Sequence, residues 1–209
     1  MIQYKTVRKE ARAEQTIEKS RFIAHVKPVE SREEAEAFIA SVRGAYKTAT
    51  HNVPAMVVGD QAQIQWASDD GEPQGTSGAP IVQMLTKEGI TNTAVVVTRY
   101  FGGIKLGTGG LVRAYTSSTK LGLEAAGICQ VKEMTVLKFE VDYSFLSKIQ
   151  NLEKEGEFSI KDIIYEAMVS MEIVTEMAKG EEIKAMFANL TAGSAKLLTE
   201  TNRLVKFDV

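Results

Sequence analysis

The sequence predicts an α+β protein with two domains, residues 1–129 and residues 130–209. Segments that alternate apolar and polar residues, as strands do, are interspersed with segments whose apolar residues recur every three or four positions, as in helices. The second part follows the order strand, helix, strand, strand, helix, strand, which is the ferredoxin-like pattern. The composition also changes after Cys129, because all four prolines lie at or before Pro80 and nine of the sixteen glycines lie within 71–110.

The first predicted elements are two strands at 2–8 and 14–29 and the helix that follows them. The second strand alternates in polarity up to its end, where a proline stops it. Ser31 and Glu34 have the spacing of a capping box, which predicts that the helix begins there. Gly44 is predicted to end the helix, since glycine is common just after a last helical turn.

The next stretch predicts a strand pair, an irregular segment and a short helix. Residues 54–59 and 64–67 are rich in β-branched and aromatic side chains and flank a Gly-Asp turn, which is typical of paired strands. The segment 68–78, called the acidic loop below, contains too much glycine and proline for a regular element. A proline suited to a first helical turn then predicts a helix over 80–87.

A central strand and a long helix are predicted around the richest glycine cluster in the chain. Residues 93–98 are continuously apolar, which favours a strand covered on both faces. The segment 102–110, called the glycine segment below, is predicted to be a loop, with a helix from about Leu111. The elements predicted for the second domain are strand 135–143, helix 144–155, strands 159–165 and 167–176, helix 180–190 and strand 196–207.

Composition limits the possible functions. The chain has 209 residues and a formal net charge of −2, so a uniformly basic nucleic-acid coat is excluded, whereas a local basic patch is not. Its one cysteine, Cys129, cannot form an internal disulfide, which fits a reducing compartment. We find no signal peptide and no apolar run of about 18–20 residues. We therefore expect a cytoplasmic protein without membrane contact.

The glycine segment and its flanks predict an anion-binding site. Between Glu88 and Glu124 the chain has no acidic residue. Glycines let backbone N–H groups point at an oxyanion, and a helix N-terminus adds unpaired donors and partial positive charge. The alternative is that these glycines serve the close packing of a small-residue helix on a sheet. The candidate site residues are Arg99, Tyr100, Gly102, Gly103, Lys105, Gly107, Gly109, Gly110, Arg113 and Tyr115.

Three aromatic residues flank this basic segment, and exposed aromatic rings beside positive charge are how single-stranded nucleic acid is bound. Core packing is the commoner role of such rings. We expect Phe101 in the core, and both interpretations stay open for Tyr100 and Tyr115.

Other motifs are incomplete. Thr108 stands where a Walker loop requires lysine, and Val112 stands where a dinucleotide fingerprint requires glycine, so no cofactor is predicted. Asp69, Asp70 and Glu72 have the oxygen ligands that a divalent cation prefers, but tight turns also favour Asp-Gly, so the sequence favours a structural turn over a metal site. The metal question stays open at this point, and no complete catalytic set is found.

Two blocks resemble the IMPACT family in its bacterial branch. They are Thr98-Arg99-Tyr100-Phe101-Gly102-Gly103-Ile104-Lys105-Leu106-Gly107, continuing to Tyr115, and Ser68-Asp69-Asp70-Gly71-Glu72-Pro73. Weaker similarity extends over residues 1–129. The resemblance implies a first domain similar to domain IV of elongation factor G and to the second domain of a small-subunit ribosomal protein. It also implies a second domain similar to the ferredoxin-like domain V of that factor.

The resemblance bears on function as well. Eukaryotic relatives carry an additional N-terminal domain and act in translational regulation through a kinase activator, a partner that does not transfer to a chain starting with the IMPACT-like domain. We favour a non-enzymatic protein that binds single-stranded or ribosomal RNA through residues 99–115, with a protein partner as a further possibility. The alternative is an enzyme for a phosphorylated or carboxylated small molecule, which would need the acidic loop to face the glycine segment.

Overall fold

A computed structural model describes residues 2–208 of the chain, which form two compact units: 2–131 with 206–208, and 132–205. The elements of the described residues, in chain order, are β1 (Ile2–Val7), β2 (Ala11–Ile17), β3 (Ser20–Pro28), α1 (Arg32–Ala45), β4 (His51–Val58), β5 (Ile64–Ala67), α2 (Gly78–Lys87), β6 (Thr93–Tyr100), α3 (Gly107–Ala126), β7 (Ile128–Val141), α4 (Tyr143–Glu153), β8 (Ser159–Tyr165), β9 (Val169–Thr175), a 3-10 turn (Met177–Lys179), α5 (Gly180–Leu190) and β10 (Lys196–Asp208). The predicted α+β class is confirmed.

The N-terminal unit is organised around β6. Its sheet has the order β2-β3-β6-β4-β5, and neighbouring strands are antiparallel. Val95 and Val97 pack into one core with α2 and α3, while Ala94 and Val96 pack into a second core with α1. The expected coverage of this strand on both faces is therefore confirmed.

The small residues of α3 allow it to lie close to the sheet. A methyl group added to Gly122 would come within 2.7 Å of Val26 and 3.0 Å of Ala24. The close packing that the sequence left open as an alternative role for glycine is therefore present at this position.

The predicted single strand over 14–29 is wrong. Residues 11–28 form a hairpin, β2 and β3, whose turn is Glu18-Lys19. Both turn residues have positive φ, 45° and 63°, as a tight hairpin turn requires. The local sequence does not indicate this turn, because glycine or asparagine normally occupies such positions.

Two helix ends also differ from the prediction. Gly44 lies inside α1, which continues to residue 45, so this glycine does not end the helix. The predicted start is confirmed, since the Ser31 side chain accepts a hydrogen bond from the Glu34 N–H. Helix α3 begins at Gly107 rather than near Leu111, so half of the predicted loop is the first helical turn.

The C-terminal unit has the predicted order of strands and helices. Its strands lie in the order β10-β7-β9-β8, and β7 begins seven residues earlier than predicted. One face of the sheet packs against α4 and α5, where Phe139 stacks on Phe187 with ring centroids 4.2 Å apart.

Three further observations concern the cysteine, the tryptophan and the length of the helices. Cys129 is buried, and burial raises the pKa of its thiol, which keeps it protonated and unreactive. Trp66, the single tryptophan, lies on the edge strand β5 and is 39% exposed. None of the helices formed by residues 2–208 is long and apolar enough to cross a membrane.

His25 is expected to make stability depend on pH. It is buried on β3 against the Tyr46 ring, 4.7 Å between centroids, and its Nε2 has no partner within residues 2–208. Burial lowers its pKa from 6.5 to about 4, with the Arg12 charge contributing. As the pH falls, His25 binds a proton in the unfolded chain at a higher pH than in the folded protein. The free energy of unfolding therefore decreases between pH 6.5 and pH 4, by about 1–2 kcal/mol after solvent screening.

Urea unfolding between pH 4 and 8 measures this dependence. His25→Phe keeps a ring against Tyr46 and removes the titration, so the variant should lose that part of the pH slope. An unchanged slope would show that His25 does not carry it.

Candidate anion-binding site

A buried polar cluster joins the acidic loop to the end of β6. Arg99, at the end of that strand, donates from Nη1 to Glu72 Oε1 at 2.6 Å, and the Tyr115 hydroxyl donates to the same oxygen at 2.7 Å. Arg99, Glu72 and Tyr115 are 4%, 8% and 0% exposed. The acidic loop therefore meets the basic segment through Glu72, which answers the question that the sequence left open.

This cluster assigns different roles to two of the candidate residues. The Arg99 charge is paired and removed from solvent, so Arg99 supports the site from behind rather than contacting an external anion. Burial and the Glu72 carboxylate raise the pKa of Tyr115, which remains a neutral hydrogen-bond donor. The stacking role considered for Tyr115 is excluded by its burial.

Ser20 connects the cluster to the glycine segment. Its hydroxyl oxygen accepts hydrogen bonds from Arg99 Nη2 at 3.2 Å and from the Gly102 N–H at 3.1 Å. A Cβ at Gly102 would lie 2.0 Å from the backbone carbonyl of Lys19. Residue 102 must therefore be glycine for the loop to rest on the β2–β3 turn.

Asp69 has a structural role. Its carboxylate accepts hydrogen bonds from the N–H groups of Gly75, Ser77 and Gly78 at 2.7–3.0 Å. Burial alone would raise the pKa of this carboxyl, but the three backbone donors hold it below its usual value. Asp69 thus closes the acidic loop and begins α2.

The carboxylates of Asp70 and Glu72 accept hydrogen bonds from other residues of the fold. Asp70 accepts from Arg43 at 2.9 Å and from the Asn52 N–H at 2.6 Å. The His51 Nδ1–H donates to the Asp70 carbonyl at 2.8 Å. The other ring nitrogen of His51, Nε2, lies 3.8 Å from Glu72 Oε2. Within residues 2–208, no three histidine, cysteine, aspartate or glutamate side chains are grouped to hold a metal ion. The geometry supports the structural-turn interpretation of the acidic loop.

The glycine segment is part loop and part helix. Gly103 and Gly107 have φ of 86° and 70°, a region that favours glycine. The N-cap residue of α3 is Leu106, whose side chain makes no capping bond, and the first turn has no acidic residue. The N–H groups of this turn therefore lack side-chain acceptors. Gly109 differs because its φ is not positive, and a Cβ there would also meet nothing within 4 Å.

Exposed cations surround the loop at 101–106. Lys105 lies in the loop, and the Lys19 backbone touches Gly102. Lys47 is next to Thr48, whose hydroxyl is 3.5 Å from the Tyr100 hydroxyl, and Arg113 follows six residues into α3. These four side chains are exposed and form no ion pair with any residue in 2–208. We call them the cation set.

The structure contradicts the expectation for Phe101 and decides between the two interpretations that were left open for Tyr115. Phe101, expected in the core, is 47% exposed, whereas Tyr115 is fully buried. The helical spacing of Leu111, Ala114, Tyr115 and Ser118 on one face could have indicated that Tyr115 is buried. Tyr100 is partly buried, with the Arg21 guanidinium 5.9 Å from its ring centroid.

Fold and site together define an α+β protein with a basic, aromatic-edged surface at a helix N-terminus. Comparison with family models identifies the Impact N-terminal domain over residues 18–123 and a domain of unknown function, DUF1949, over 139–194. The chain belongs to the IMPACT family.

Relatives cover most of the chain. It is 41% identical to the IMPACT family member YvyE of Bacillus subtilis over 93% of this chain and 89% of that protein. It is 36% identical to the IMPACT family member YigZ of Escherichia coli over 87% and 90%. A solved structure described as a hypothetical protein matches with a TM-score of 0.58 and 34% identity, covering 94% of this chain and 96% of that one. Mouse Protein IMPACT is 34% identical over 44% of this chain and 30% of its own length.

Proposed function

We propose that the protein binds single-stranded RNA, including exposed strands of ribosomal RNA, without catalysing a reaction. The observation that carries the proposal is the cation set, Lys19, Lys47, Lys105 and Arg113, whose charges have no partner among residues 2–208. Segment 99–123 contains no acidic residue, and Arg99 is neutralised by Glu72. The surface charge is therefore available to an external polyanion.

The arrangement suits a phosphate chain better than a single small anion. The charges are spread over a hairpin turn, two loops and a helix, and Arg113 lies about 9 Å along α3 from Gly107. Successive phosphates of a strand can pair with such spaced charges, while the N–H groups of the first helical turn donate hydrogen bonds to a phosphate oxygen. Regulation of translation is the context that the family resemblance suggests for this activity.

The small-molecule enzyme considered from the sequence needs free acidic groups opposite the basic segment. Asp69, Asp70 and Glu72 each have partners of their own in the fold. No observation within 2–208 favours this alternative over RNA binding.

The proposal predicts how RNA binding depends on salt. Fluorescence anisotropy with a labelled single-stranded RNA should give a slope of log K against log salt near −3, since each of four phosphate contacts contributes about −0.7. Lys105→Ala and Arg113→Ala should each reduce the steepness of the slope by about 0.7 and leave thermal unfolding unchanged, because both side chains are exposed and unpaired.

Lys87→Ala is the matched control. Lys87 is an exposed lysine at the end of α2, shortly before β6 begins. The candidate site follows the other end of β6. The two ends of β6 are about 25 Å apart. The proposal fails if wild type does not bind at low salt, or if Lys87→Ala changes the slope as much as Lys105→Ala does.

A further inference from the structure

We propose that Phe101 stacks on an unpaired base and thereby makes this surface select single strands over duplexes. This inference rests on the RNA-binding function proposed above and names the residue that determines its specificity. The sequence alone gave Phe101 a place in the core, so its position is an observation of the structure.

Phe101 is exposed and yet firmly held. The residue is 47% exposed, while its N–H donates to the Thr50 hydroxyl at 3.0 Å. The N–H of the next residue, Gly102, donates to the Ser20 hydroxyl. The backbone is thus anchored on both β3 and the loop before β4, so the backbone beneath the ring needs no further ordering on binding.

One side of the ring is already occupied. The Arg99 guanidinium lies 5.4 Å from the Phe101 ring centroid and 5.3 Å from that of Phe22. Since Arg99 is buried and paired with Glu72, it fixes the ring from the protein side. The exposed part of the ring is therefore the part that a planar ligand can reach.

The surroundings complete the requirements for a nucleotide. The Lys19 backbone contacts Gly102, and Lys105 follows three residues later in the same loop, so two exposed cations are near the Phe101–Gly102 step and available to the phosphates of a stacked nucleotide. Stacking on an aromatic side chain is tolerant of base identity. Bases inside a duplex are already stacked on each other, so only an unpaired base can use the ring.

The test compares a strand with bases, an abasic strand of equal length and equal charge, and a duplex of the same sequence, whose bases are stacked on each other. Binding of wild type and variant to each of the three ligands is measured over the same series of salt concentrations. We expect Phe101→Leu to weaken single-strand binding by about 5- to 160-fold, the range that loss of one stacked base gives. Its affinity for the duplex and the abasic strand should match that of wild type, and its salt slope should not change.

A second variant reports stacking directly. Phe101→Trp should bind the single strand as wild type does, and its added fluorescence, measured as the difference from wild type, should be quenched by the RNA and not by the abasic strand. The inference is overturned if Phe101→Leu binds the single strand like wild type, if it loses abasic binding equally, or if the tryptophan is not quenched. Wild type that binds none of the three ligands overturns the RNA-binding function itself, which separates the two failures.

Discussion

Glu72→Ala is expected to lower the free energy of unfolding of the N-terminal unit by about 3–5 kcal/mol, the cost typical of leaving one member of a buried ion pair alone. The carboxylate is the acceptor for both Arg99 and Tyr115, and all three side chains are buried. Its removal leaves a buried guanidinium without a counter-ion and a hydroxyl without an acceptor. Chemical denaturation followed by circular dichroism measures the loss.

Glu14→Ala provides the comparison. Glu14 pairs with Arg21 at 2.7 Å, nearly the distance of the Glu72–Arg99 pair, but both of its side chains are more than half exposed. Water replaces an exposed partner at little cost, so this variant should unfold almost as wild type does. Equal effects of the two substitutions would contradict the structural role assigned to the buried pair.

Gly102→Ala is expected to cost about 2–3 kcal/mol, as overpacking of a closely packed position does. The new methyl group would lie 2.0 Å from the Lys19 carbonyl group and 2.5 Å from the Ser20 nitrogen. These are backbone atoms, which cannot rotate out of a clash as the end of a flexible side chain can. The β2–β3 turn and the loop must therefore separate, which also moves Lys19 away from Lys105. Denaturation and the salt-dependent RNA titration should both change.

Gly109→Ala is the matched glycine control. A methyl group there meets nothing within 4 Å, and the position lies in the first turn of α3. Since alanine favours helix over glycine by about 1 kcal/mol, the variant should be as stable as wild type or slightly more stable. The need for glycine thus differs within segment 102–110: it is steric at Gly102 and absent at Gly109. A destabilised Gly109→Ala would refute this distinction.

The sequence predicted those elements whose side-chain pattern is set by burial. The strand at 93–98 and the helix at 180–190 were recognised because burial sets the local pattern of apolar residues, a continuous run in the strand and a helical spacing in the helix. The turn at Glu18-Lys19 was missed because tertiary pairing of β3 with β6 imposes positive φ on residues that do not prefer it. Helix α3 begins at Gly107, but its first buried apolar residue is Leu111. The spacing of apolar residues therefore does not show where the helix begins.

The sequence indicated which stretch of the chain lacks acidic residues, but not what each residue of the candidate site contacts. Local sequence cannot show that Glu72, far along the chain from Arg99, neutralises it inside the fold. Nor can it show that Lys19 and Lys47 lie beside the loop, since only the antiparallel packing of β3 and β4 against β6 brings these residues there.

The position of Trp66 determines what a spectroscopic unfolding experiment can see. Since it is the single tryptophan and lies on β5 of the N-terminal unit, its emission follows the environment of that unit alone, whereas far-ultraviolet circular dichroism averages the helices of both. Coincident curves from the two signals would indicate that residues 2–208 melt in one cooperative step, and displaced curves would give each unit its own midpoint. The chain thus carries a built-in optical label for one of its two halves, with no need to attach a dye.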